Sequence, residues 1–254
     1  MFLAVINARK IKTALIIILV FALCGGLTAK GLSVAVGTVN RLLPIYNVRT
    51  QEKKIAITFD AAWEDSDTDE LIAILAEYNA HATFFIVGEW ASRCSESVKK
   101  LYDAGHSIAN HSDTHAAFST LDKAGILSEI IACNDKLEAI TGVKPQLLRA
   151  PSGDYDNKTI EAAQSLGMYT IQWSVDSLDY QGYTAQKITD RILSKTEPGA
   201  ILLFHNGVKN TPDALRAILA SLAATEYSFV TVEELIYKDD YTIDHTGTQI
   251  KNPQ

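Results

Sequence analysis

Apolar residues in this chain come in short unbroken runs separated by stretches with a helical period. The runs are IAITF (55–59), ATFFIV (82–87), HSIAN (106–110), QLLR (146–149), YTIQW (169–173), AILLF (200–204) and SFVTV (228–232). A short apolar run bounded by polar or turn residues reads as a strand buried on both faces. Between these runs the apolar spacing changes to three and four. Leu71, Leu75 and Tyr78 share one helical face, and Leu215, Ile218, Leu219 and Leu222 share another. Helices are also predicted over 98–104, stopped by Gly105, and over 121–140, ended by Thr141-Gly142. Further helices are predicted over 157–166 with Asp156 as N-cap, over 185–193, and over 233–237 as a short closing turn.

Strand and helix therefore alternate along the chain. That order predicts an α/β fold with a parallel sheet under helices. About seven strand–helix units suit a closed barrel better than an open sheet. The alternation spans residues 53–237, which is the expected domain. Residues 30–52 are read as a linker, and the polar residues 238–254 as a loose tail. Arg9, Lys10 and Lys12 precede an uncharged apolar run from Thr13 to Ala29. A positive flank before such a run reads as an export signal or membrane anchor over 1–29. Leu27 is large for the position two before a cleavage site at Ala29, so the reading leans to an uncleaved single-pass anchor at the cell membrane, with the domain extracytoplasmic; cleavage would make it secreted.

Composition narrows the function classes. Net charge is −7 and no basic stripe runs through the domain, which argues against nucleic acid as a partner. Three cysteines, Cys24, Cys94 and Cys133, are too few and too scattered for a disulfide framework or a zinc knuckle. Cys94 and Cys133 read as two thiols, with one disulfide between them as the alternative.

Polar residues cluster just after strand ends: Asp60 after IAITF, Arg149 after QLL, Asp176 and Asp179 after YTIQW, His205 after AILLF. Carboxyl ends of barrel strands are where active sites are built. Asp60 can serve as general base, as metal ligand or as a cap on the next turn. His111 and His115, in HSDTH, are four apart, a spacing that lets two imidazoles face one ion or simply face solvent. Arg149 can hold a carboxylate ionised. His205 can deliver a proton near neutral pH if a carboxylate, Asp176 or Asp179, keeps it charged.

Taken in order, TFDAAW, HSDTH, RAPSG, DSLDY and LLFH resemble the five motifs of the polysaccharide deacetylases, the NodB-homology domain of carbohydrate esterase family 4. The flanking HATFFIVGEWA and AGHSIANHSDTH resemble the family as well, and the likeness covers residues 53–237. The wording TFDAAW and the N-terminal segment look most like the sporulation-associated PdaB-like subgroup. The resemblance implies a distorted (β/α) barrel of about seven parallel strands, and a hydrolase that removes N-acetyl groups from a cell-wall glycan such as peptidoglycan, using a divalent metal, Zn2+ by expectation. The chain is expected to act as a monomer. It implies Asp60 as base, Arg149 as its tether, His111 and His115 as metal ligands, and Ser152 as an oxyanion donor. It implies His205 as general acid, Asp179 as the carboxylate orienting it, and Tyr180 and Leu203 as the walls of the substrate groove. Ala61 stands where the family carries a third, carboxylate ligand, with Glu64 or Asp65 as nearby substitutes, and Tyr180 stands where it usually carries Trp. The Ala61 departure supports a second expectation, a catalytically impaired relative that binds glycan.

Overall fold

A computed structural model of the chain describes residues 41–253, so the expected anchor over 1–29 lies outside the described residues. The strands are β1 (Asn47–Val48), β2 (Lys54–Ala61), β3 (Thr83–Ile86), β4 (Ser107–Asn110), β5 (Leu147–Leu148) and β6 (Tyr169–Thr170). They continue as β7 (Val175–Asp176), β8 (Ile201–His205), β9 (Ser228–Val230), β10 (Tyr241–Ile243) and β11 (Thr248–Lys251). The α-helices are α1 (Thr68–Glu77), α2 (Gly88–Arg93), α3 (Ser95–Asp103), α4 (Lys123–Thr141), α5 (Asn157–Ser165), α6 (Ala185–Leu193), α7 (Thr211–Ala223) and α8 (Val232–Leu235).

Seven parallel strands in the order β6-β5-β4-β3-β2-β8-β7 form a sheet curled into a half-barrel, and β9 adds to the lower half of β2. The expected fold class is therefore the observed one. β2 lies at the centre because its residues are buried on both faces. Ile55, Ile57, Phe59 and Ala61 enter the cluster that packs under α1, α6 and α7, whereas Ala56 joins a second cluster with Phe85 and Ile201. This is strand alternation. It turns Thr58 and Asp60 towards the inside of the barrel, where Arg149 bonds to both. Phe59 stacks on Phe84 with ring centroids 4.8 Å apart and contacts Phe204 at 5.7 Å, which locks the three central strands together on the helix side.

Three expectations change. The tail is not loose: β10 and β11 pair antiparallel, and β11 pairs in parallel with β1. Gln249, fully buried, accepts from the Tyr237 N–H at 2.9 Å and donates to the Tyr237 carbonyl at 2.8 Å. The final part of the linker is also built in. The Ile45 N–H donates to Thr170, its carbonyl accepts from Gln172, and Val48 bonds to Gly199, so this segment spans the gap beyond β6 to the start of β8. Finally, YTIQW is only partly strand: β6 ends at Thr170 and the chain re-enters the sheet as β7. Cys94 and Cys133 are free thiols, and Cys133 is buried.

Candidate functional site

Asp60 sits at the end of β2 and is 5% exposed. Its partner Arg149 follows β5 and is fully buried. Arg149 Nη1 donates to Asp60 Oδ1 at 2.7 Å and to Thr58 Oγ1 at 2.9 Å, and Nη2 donates to the Gln172 carbonyl at 3.0 Å. The guanidinium lies 4.0 Å from the Phe85 ring centroid. A charge this deep is costly unless paired, and the planar fork meets its acceptors while stacking on the ring. Burial alone would push the Asp60 carboxyl up. The charge of Arg149, then of His111 and His205, outweighs it and holds the group below the ordinary carboxylate range.

His111 follows β4. Its Nδ1 lies 2.8 Å from the Arg149 carbonyl, which can only accept, so Nδ1 carries the proton. The other nitrogen, Nε2, presents its lone pair 3.5 Å from Asp60 Oδ2. Burial pushes the His111 pKa down to about 4, so the ring is neutral near pH 7. His115 is brought beside it by a tight turn, with ring centroids 5.1 Å apart. That turn places Ser112 at φ 65° and His115 at φ 61°, left-handed values uncommon for residues other than glycine. It is held by Ser112 Oγ accepting from the His115 N–H, and by Glu129 accepting from Asp113 and Thr114.

Two neutral imidazoles side by side fit a divalent ion as part of a donor set. The nearest carboxylate is Asp60, whose Oδ1 is taken by Arg149, and none of the positions offered for a third, dedicated donor joins the two histidines. Ala61 lies in the helix-side apolar cluster, and Asp65 instead accepts from Ser97 Oγ at 2.8 Å. Glu64 is exposed and lines, with His115, a cavity beside Trp63. Among the described residues no group of three His, Cys, Asp or Glu side chains is arranged to hold an ion.

His205 ends β8. Asp179, fully buried, uses both oxygens: Oδ1 accepts from His205 Nδ1 at 2.8 Å and from the Tyr180 N–H, and Oδ2 from the His205 N–H and Thr211 Oγ1. Of the two candidate partners of His205, Asp179 makes the contact. Asp176 accepts from the Leu178 N–H, which turns the chain so that Asp179 points inward. Burial alone would lower the His205 pKa. The Asp179 hydrogen bond and the charges of Asp60, Asp179 and Asp176 raise it above the ordinary imidazole value.

One cleft of about 250 Å³ joins these groups; Asp60, His111, His115, Ser152, Leu203 and His205 line it, with Tyr180 at the mouth. Arg149 and Asp179 stand directly behind. All nine residues singled out from the sequence therefore meet at one place. Ser152 adopts φ 55°, ψ 19° in the turn Pro151–Gly153. Sequence reading passed over Trp63 and Trp173, which also line the cleft. Trp63 is 58% exposed, and a large indole three residues after a strand-end carboxylate was the available signal.

The chain matches the family model for polysaccharide deacetylases over residues 47–171. It is 31% identical over 193 residues to the uncharacterized protein YlxY of Bacillus subtilis, covering 76% of this chain and 60% of that one. It is 29% identical to a peptidoglycan-N-acetylglucosamine deacetylase of Bacillus cereus, covering 72% of this chain and 68% of that one. It is 28% identical to the peptidoglycan-N-acetylmuramic acid deacetylase PdaA of B. subtilis, covering 80% of each. Among solved structures it resembles a mutant of BA3943, a CE4 family pseudoenzyme with restored enzymatic activity, with a TM-score of 0.74 and 30% identity, covering 77% of this chain and 71% of that one. With the barrel and the five strand-end motifs on the same chain, the protein belongs to the polysaccharide deacetylases of carbohydrate esterase family 4.

Proposed function

We propose that this protein hydrolyses the N-acetyl amide of an N-acetylated cell-wall glycan, with peptidoglycan as the substrate class. One observation carries the reading. A carboxylate, Asp60, whose ionised form is favoured by buried Arg149, and an imidazole, His205, whose protonated form is favoured by buried Asp179, line one cleft. That is the pairing amide hydrolysis needs: a base for water and an acid for the departing amine.

Asp60 takes a proton from a water that attacks the acetyl carbonyl carbon. Arg149 keeps the carboxylate ionised and aimed. The oxyanion forms beside the Ser152 turn, whose backbone N–H is the donor assigned to it. His205, oriented by Asp179, gives its Nε2 proton to the sugar nitrogen as the C–N bond breaks. Acetate and a free amine leave, and the Asp60 proton returns to restore His205. Leu203 and Tyr180 are the walls assigned to the acetyl methyl. A divalent metal, Zn2+ in the first instance, would be held by His111 and His115 and would supply a Lewis acid for the carbonyl. The chain acts as a monomer, anchored at the cell membrane with its domain outside, and groups with the sporulation-associated PdaB-like proteins; the motif TFDAAW and the apolar run after Arg9, Lys10 and Lys12 support this.

Acetate release from N-acetylglucosamine oligomers and from peptidoglycan, with added metal and with chelator, tests the reading. His111→Ala is expected to lower the metal-stimulated rate by at least tenfold; a rate indifferent to chelator and to His111→Ala overturns the metal part. Ala61→Asp is expected to lower Tm, because it puts a carboxylate into an apolar cluster on the face turned away from the histidines; a Tm that added Zn2+ restores would show that position 61 can reach the ion. The missing third donor at Ala61 also favours a second reading, a glycan-binding relative without turnover. Glycan binding with no acetate release under any metal would select it.

A further inference from the structure

The cleft does not end at Trp63. A second cavity of about 410 Å³ lies on the other side, lined by Glu64, Val87, Glu89, Arg93 and Thr114, and it shares Ala62, Trp63 and His115 with the first. Trp63 thus stands between two adjoining lobes. Its ring centroid is 5.8 Å from that of His205 and 6.4 Å from that of His115. On the far side of His205, Tyr180 packs edge-on at 5.2 Å and is 52% exposed.

The loop that carries the indole is clamped to the loop after β8: the Asn206 side-chain amide donates to the Glu64 carbonyl, and the Gly207 N–H donates to Asp67 Oδ2 at 2.8 Å. Gly207 is at φ +71°, and a Cβ there would lie 2.6 Å from the Glu64 Cβ, so the close approach needs glycine. Beyond its tilted contacts with His205 and His115, this large aromatic is open to solvent beside the reacting groups. It offers an apolar face to the C–H face of a sugar ring and loses little freedom in doing so.

Resting on the glycan reading above, we propose that Trp63 is a specificity-determining platform that makes the protein select glycan chains over single sugars. The sugar bearing the scissile acetyl sits in the lobe of Asp60 and His205. Its neighbour crosses the indole into the lobe of Glu89, Arg93 and Thr114. These hydroxyl-matching polar groups suit a second sugar, and no single sugar occupies both lobes.

The test compares kcat/KM for acetate release from N-acetylglucosamine and from its tetramer, together with calorimetric binding of the tetramer to the metal-loaded protein. Wild type is expected to favour the tetramer at least tenfold. Trp63→Ala should cut that ratio at least tenfold, mainly through KM, and Trp63→Phe should restore most of it. A ratio unchanged in Trp63→Ala overturns the inference while leaving the deacetylase reading intact. Tetramer binding that weakens at least tenfold in Trp63→Ala, with no acetate released by any variant, supports the platform and fails the catalytic reading. No binding and no release fails both. Because Trp63 is exposed, Tm should change little, which separates loss of the platform from loss of fold.

Discussion

His205 and Asp60 carry opposite adjustments, and the opposition is what a proton-transfer pair requires. Asp60 is depressed, so its ionised, Arg149-paired form adds stability above the unfolded carboxylate pKa and loses it as pH falls through the lower folded value. His205 is raised, so its charged form adds stability below the unfolded imidazole pKa and loses it as pH rises through the higher folded value. Activity should therefore span a window whose acid limb lies below the usual carboxylate range and whose alkaline limb lies above the usual imidazole value. Asp179→Asn removes the hydrogen-bonded charge that holds His205 up. The alkaline limb of the kcat–pH profile should move to lower pH, with kcat reduced at least tenfold at neutral pH. An alkaline limb that stays in place would mean that another group is the acid. That Asp60, Arg149 and His205 stand together at the cleft was legible because each follows an apolar run. The choice of Asp179 over Asp176 was not, because both lie in the same five-residue stretch and only the fold aims one of them.

Among the secondary elements, local signals worked where they were strong. Asp156 caps α5 as expected: its Oδ1 accepts from the Thr159 N–H at 3.2 Å, and Thr159 Oγ1 accepts from the Asp156 N–H at 3.4 Å. Both orphan donors are met by one reciprocal pair. Asp156→Ala should cost about 1 kcal/mol, read from urea unfolding. No change in midpoint would mean that α5 is held by packing alone. α6 (Ala185–Leu193) coincides with its predicted span because Thr184 caps it, accepting from the Lys187 N–H. Short elements were missed. β1, β5, β6 and β7 have two residues each, too few to show a period, and α2 has six. β5 and β6 were still found, because apolar neighbours extend their runs.

For the whole described molecule, the segments outside the repeating units are structural. β1, β10 and β11 form one small three-stranded sheet, and Ile45, just before β1, bridges to Ile171. Gly199, at φ +82°, lets Val48 approach so closely that a Cβ there would fall 1.8 Å from the Val48 carbonyl oxygen. A chain ending at Tyr237 loses the Gln249 pair and two strands and leaves β1 without its partner β11. Its Tm should fall by at least roughly 4 °C, given that 1 kcal/mol shifts Tm by about 2–4 °C in domains of this size. An unchanged Tm would restore the tail to the loose segment that its polar composition suggests.

By itself the sequence determined which segments are strands of a parallel sheet and which polar residues stand at their carboxyl ends, and its five ordered motifs carried the resemblance to the family. Those properties follow from burial on both faces and from residue order, and both are local. Tertiary structure alone decided how the charges are partnered, that Asp65 goes to Ser97 rather than to the histidines, that Ala61 faces the helix-side core, and that the tail and linker join one sheet. It also set Trp63 between two lobes of the cleft. Each of these depends on side chains far apart in sequence meeting in space, and no periodicity along a chain records such meetings.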